Sequence, residues 1–169
     1  SYAHDQYTTR SAWVDVKGKV HNNRNELEGK KILQQLKHFC NWANQQKEKK
    51  YTVAILTFYK AQEKLLRERL RTLPKNRNRY SSFEYEGVWI KLATVDYFQG
   101  QEADVVFLSM VQTYRDGFMD SPNRLNVAIT RARYQLVIVG DRQYFLKRSR
   151  SSDLQSLADH HVSTHRKNK

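Results

Sequence analysis

The 169-residue chain carries a single cysteine, a count that excludes an intrachain disulfide framework and a cysteine-built zinc site. Cys40 follows Phe39 in a helix-patterned stretch and reads as a buried thiol rather than a nucleophile or ligand. The six histidines show no metal-ligand spacing, so no metal site is expected. No uninterrupted apolar stretch approaches the roughly 20 residues that cross a bilayer, and no signal peptide is visible. No membrane partner is therefore expected, and the setting expected is intracellular: cytoplasmic, or nuclear in a eukaryotic source. Internal repeats are absent, and no carboxylate cluster has the spacing of a nuclease metal site.

Phosphate-loop chemistry is missing too. A Walker A loop needs Gly, four residues, then Gly-Lys-Ser/Thr, so that backbone amides cradle the phosphates and the hydroxyl meets Mg²⁺. Gly18-Lys19 is followed by Val20 and Gly29-Lys30 by Lys31, so neither qualifies. No Asp-Glu pair closes an apolar strand. Residues 136–141, LVIVGD, imitate a Walker B strand, but Gly140 intervenes before Asp141.

Acidic residues are scarce: 17 against 30 Lys and Arg, a net charge of +13. Residues 60–79 alone hold eight basic side chains against Glu63 and Glu68. A basic face neutralises phosphates and releases counterions, the dominant non-specific term in nucleic-acid binding. The competing reading is a solvated helix face followed by a polar loop at 73–79. Net charge alone does not separate nucleic acid from an acidic protein or a membrane surface.

Apolar patterning supplies the fold class. Residues 103–112 and 134–140 are β-branched apolar runs suited to strands of a parallel sheet covered on both faces. Residues 53–62 read as a buried strand running into a helix to about Leu73, with Leu65, Leu66, Leu70 and Leu73 at helical spacing. Residues 13–16 read as a strand, and a helix runs from the Asn25/Glu28 region to about Trp42 on an Ile32, Leu33, Leu36, Phe39 stripe. A further helix is expected over residues 122–132, with Ser121 as N-cap and Pro122 in its first turn. The fold expected is a three-layer α/β domain with a mainly parallel sheet. It fills residues 1–150, and residues 151–169 are expected to be a polar, frayed tail.

Ligands of such sheets gather at strand ends and in the loops beyond. Two segments place phosphate-competent side chains there: TVDYFQGQE at 94–102 and RLNVAITRAR at 124–133. Gly100 suits a tight turn or a close backbone approach. An arginine near a nucleotide can grip the γ-phosphate and stabilise transition-state charge. The plainer reading of an arginine at a helix C-terminus is that it complements the helix dipole.

In order and together, these segments resemble motifs V and VI of superfamily 1 helicases of the Upf1-like (Dna2/Nam7) group, in their second RecA-like (P-loop NTPase) domain. The resemblance extends over roughly residues 12–148. Residues 57–62 are similar to the family's Thr-Pro-Tyr-x-x-Gln, with Phe58 in place of proline and Thr57, Tyr59 and Gln62 retained. Residues 15–18 and the Asn25-x-x-Glu28 helix start also match, less specifically.

The resemblance implies that Arg131 is an arginine finger reaching ATP across a domain cleft. It places Glu102, with Gln99 and Gly100 nearby, on the same cleft, at the ribose or the hydrolysis machinery. ATP and Mg²⁺ would be held mainly by the first RecA-like domain of the same parent chain. A single strand of RNA or DNA would lie on Thr57, Tyr59 and Thr94, with Lys75, Arg77 and Arg79 adding affinity. Helical continuation through Arg133 would turn it about 200° from Arg131, unable to serve the same phosphate. At 169 residues the chain is expected to be half of such a motor and inactive alone. The alternative is a non-catalytic nucleic-acid-binding module that retains the fold.

Overall fold

Ala103–Ser109 (β7) is buried at every position, which places it at the centre of a sheet covered on both sides. The computed structural model describes residue 7 and residues 9–46, 49–73 and 82–161. Beside β7 lie Thr52–Thr57 (β4) and Ala132–Gly140 (β8); Ser11–Asp15 (β1) flanks β8, and Val88–Thr94 (β6) flanks β4. These five strands are parallel, and Ser82–Tyr85 (β5) closes one edge antiparallel to β6. The order is β1-β8-β7-β4-β6-β5. A two-stranded hairpin, Val20–His21 (β2) and Arg24–Asn25 (β3), turns at Asn22 and Asn23, both at positive φ, a region that asparagine tolerates.

Alternation along the strands sorts the core into two halves. One face presents Val53, Ile55, Ile90, Phe107 and Val137 to Glu26–Asn44 (α1) and Lys60–Leu70 (α2), which contribute Ile32, Leu36, Phe39, Leu66 and Leu70. The other presents Trp13, Leu56, Val106, Leu108 and Ile138 to Pro122–Ile129 (α3), Arg142–Lys147 (α4) and Ser152–His160 (α5). The result is the expected three-layer α/β arrangement. Ser121 caps α3 by accepting from the Arg124 amide, with Pro122 in the first turn, as the sequence predicts.

Three boundaries differ from the sequence reading. α3 stops at Ile129, because Ala132 already pairs with Ala103 at the start of β8. Arg133 therefore lies in extended chain, and the 200° helical separation from Arg131 does not apply. α2 ends at Leu70, although Leu73 is still buried in the turn that follows. Within the tail expected to fray, residues 152–160 form α5: Ser151 caps it, and Leu154 and Ala158, four apart, bury one side against the core. The Arg142 guanidinium bonds the Ala158 carbonyl at 3.0 Å, tying α5 to α4. Residues 162–169 lie outside the described residues.

Candidate functional site

A parallel sheet sends all its strand ends to two edges, and the candidate residues divide between them. At the C-terminal edge, β4 ends at Thr57 and β6 at Thr94, which are register partners. At the N-terminal edge, β7 begins at Ala103, just after Glu102, and β8 begins at Ala132, just after Arg131. The segment 95–102 joins the edges, leaving β6 beside Thr94 and entering β7 after Glu102.

The C-terminal edge holds a cleft of about 700 Å³ whose walls include Asn23, Tyr59, Lys60, Thr94, Asp96 and Tyr97. Tyr59 is buried along most of its length and donates its hydroxyl to the Asp116 carbonyl at 3.2 Å. Thr94 is half-buried, with its hydroxyl 3.4 Å from the Tyr97 amide. Thr57 is 0% exposed, and its Oγ1 has no hydrogen-bond partner among the described residues. It supports the floor of the cleft without lining it. The first turn of α2 opens here, with N-cap Tyr59 supplying no side-chain acceptor. Its amides and Lys60 give this wall a positive character. Asp96, the acid on the opposite wall, is held by Arg124 Nε at 3.1 Å. Lys75, Arg77 and Arg79 lie outside the described residues.

The N-terminal edge is organised around two arginines. Arg131 is half-buried; its Nε donates to the Val127 carbonyl at 3.1 Å and its Nη1 to the Gln101 carbonyl at 3.4 Å. The first bond caps the C-terminus of α3. Among the described residues Arg131 has no ion-pair partner. Arg133 Nε instead donates to Glu102 at 2.9 Å, and its Nη1 to buried Asp104 at 3.3 Å. Asp104 also accepts the Thr52 amide at 2.9 Å, so this edge of β4, β7 and β8 is cross-linked. Gln99 and Gly100 are exposed, and Gly100 sits at φ +81°, where a Cβ would be strained even though nothing stands within 4 Å of it.

The sequence reading did not assign the polar network behind the cleft. Glu28, fully buried at the start of α1, accepts from Ser109 Oγ at 2.8 Å, the Val111 amide at 2.9 Å and Asn25 Nδ2 at 3.0 Å. Burial pushes its carboxyl up to about 8, against the pull of the Val111 and Ser109 donors, and the charge of Asp141 adds to the rise. Gln62 is also buried: it accepts the Asn25 amide at 2.9 Å and donates to the Asn25 carbonyl and to Ser109 Oγ, both at 3.1 Å. Gln62 thus locks α2 to the hairpin and β7 and is not a solvated helix residue. The signal was present in Asn25, Glu28 and Gln62 as polar residues beside apolar strand ends. Their bonds to one another and to Ser109 and Val111 span up to 86 positions, which local patterns do not encode.

No group of three or more His, Cys, Asp or Glu suited to a metal ion occurs among the described residues. Nor is any described helix long and apolar enough to cross a membrane.

The family model described as "AAA domain" matches residues 3–143. A stretch of 94 residues, 54% of the chain, is 43% identical to the "Helicase required for RNAi-mediated heterochromatin assembly 1" of Schizosaccharomyces pombe, covering 8% of that protein. A "Regulator of nonsense transcripts 1 homolog" of Neurospora crassa is 46% identical over 61 residues, 34% of the chain and 6% of its own length. An uncharacterized ATP-dependent helicase of Methanocaldococcus jannaschii is 32% identical over 114 residues, 68% of the chain and 14% of its own length. The chain thus spans a small part of the curated relatives it matches. Parallel sheet, motif placement and these matches agree: the chain belongs to the AAA domain family and is a RecA-like helicase domain related to the Upf1-like superfamily 1 helicases.

Proposed function

We propose that this chain is the C-terminal half of an ATP-dependent helicase or translocase, supplying an arginine finger and part of a single-strand binding surface. The observation that carries the reading is the 95–102 segment. It meets the cleft beside Thr94 at one edge of the sheet and bonds Arg131 through the Gln101 carbonyl at the other. The edges are roughly 20 Å apart, the length of a six- or seven-residue strand.

The chemistry of the N-terminal edge fits a nucleotide phosphate. Arg131 spends two N–H groups on carbonyls, and no carboxylate among the described residues neutralises it. Its 3.4 Å bond to Gln101 is long and is readily exchanged for a charge-assisted bond to phosphate. ATP with Mg²⁺, held mainly by the first RecA-like domain of the parent, would supply the free energy of phosphoryl transfer. Glu102, oriented by Arg133, is offered to the ribose or the hydrolysis machinery, with Gln99 and Gly100 beside it. Releasing the Gln101 carbonyl loosens one end of the segment whose other end walls the cleft, so the two edges are mechanically linked.

At the C-terminal edge, Thr94, Lys60 and the open first turn of α2 suit a phosphate backbone, with Tyr59 and Thr57 shaping the cleft behind them. Lys75, Arg77 and Arg79 are assigned the same partner on charge. A non-catalytic binding module is the second reading, favoured by the cap that Arg131 already places on α3. The test pairs two assays of the 169-residue chain. ATP hydrolysis should stay at background with or without nucleic acid, and single-stranded oligonucleotide binding should weaken on Lys60→Ala or Thr94→Ala. Robust turnover by the chain alone overturns the half-motor reading, and absent binding overturns the strand surface.

A further inference from the structure

Tyr97 is 72% exposed, although the residues around it are fixed. Val95 and Phe98 are buried. The Phe98 amide donates to the Thr94 carbonyl at 3.0 Å, the Gln101 amide to the Phe98 carbonyl at 3.0 Å, and Gln101 Nε2 to the Tyr97 carbonyl at 3.3 Å. The turn therefore presents an aromatic ring to solvent on an anchored backbone. That ring stands in the wall of the C-terminal cleft. Lys91 Nζ lies 5.7 Å from its centroid and is held there by a bond to Gln101 Oε1. An exposed aromatic ring and a lysine thus occur together beside the cleft.

We propose that Tyr97 is a stacking platform for a base of single-stranded nucleic acid whose backbone occupies the cleft. The inference rests on the strand-binding reading above and adds a contact to the base itself. An apolar protein partner would be served by an uncharged patch, whereas here the exposed Tyr97 ring neighbours Lys91 and a phosphate-competent cleft. Every base has a π-face, so the contact is tolerant of sequence, as a translocating motor requires. A tyrosine has only two side-chain torsions, and the anchored turn lowers the ordering cost of binding further.

The test measures fluorescence anisotropy of the full 169-residue chain with two labelled probes, an oligothymidylate and an abasic sugar-phosphate oligomer of equal length. Tyr97→Leu should weaken oligothymidylate binding by about 5- to 150-fold, the range for loss of one stacked base. Tyr97→Phe should bind like the wild type, and the abasic probe should respond to neither substitution. Equal weakening for both probes, or no weakening for either, overturns the stacking role while leaving the strand surface in place. If wild type binds neither probe, the strand-binding reading itself fails and the stacking role with it.

Discussion

Glu28 Oε1 accepts the backbone N–H of Val111 at 2.9 Å, and Val111 is held at φ +69°. A β-branched residue is strained in that region, so the bond retains a backbone turn that the side chain disfavours. The same carboxyl binds Ser109 and Asn25, which puts the start of α1, the end of β7 and the hairpin under one buried group.

Stability should therefore depend on the proton of Glu28. Its carboxyl moves from 4.5 to about 8 on folding, so between those values the native state keeps a proton that the unfolded chain has released. Bound protons in excess in the native state mean that stability falls as pH rises through this window. Urea unfolding midpoints of wild type and Glu28→Gln, compared from pH 5 to 9, should converge or cross as the wild type weakens. A difference that does not change with pH contradicts the assignment.

Cys40 should be chemically silent in the folded chain. It is 0% exposed, and burial pushes its thiol up to about 12, with Glu86 adding to the rise. Ellman's reagent should react slowly in buffer at pH 8 and fully in denaturant. Rapid reaction of the native chain would place Cys40 at the surface.

Salt should weaken strand binding in proportion to the phosphates neutralised, roughly 0.7 per contact in the slope of log K against log salt for single strands. Lys60→Ala should lower that slope by about one such increment. Deletion of the segment bearing Lys75, Arg77 and Arg79 should lower it further. A slope unchanged by both would assign the charge excess to another partner.

The central strands were readable because burial on both faces forces unbroken apolar runs, as in β7 and β8. α1 and α2 were readable from stripes such as Ile32, Leu36 and Phe39. α5 was not, since its nine residues offer only Leu154, Leu157 and Ala158 as apolar signal, and its docking depends on Trp13 and Phe145 far away in the chain. Motif residues could be placed at strand ends, yet their pairing could not. Glu102 with Arg133, Asp96 with Arg124 and Gln62 with Asn25 are each fixed by the tertiary packing of sheet and helices, which sets residues 28 to 37 positions apart side by side. Thr57 illustrates the converse: its place at the end of β4 was legible, and its complete burial was not.

The most direct measurement is the nucleic-acid-stimulated ATPase rate of the longer parent carrying Arg131→Ala or Arg133→Ala, with thermal unfolding of each variant. Arg131→Ala should cut turnover by roughly 10³-fold or more while ATP binding and Tm stay near wild type. Arg133→Ala, which removes a half-exposed guanidinium from Glu102 and Asp104, should be milder. Equal losses in the two variants, or a fall in Tm that accounts for the lost turnover of Arg131→Ala, would show that Arg131 serves α3 as a cap and not a nucleotide.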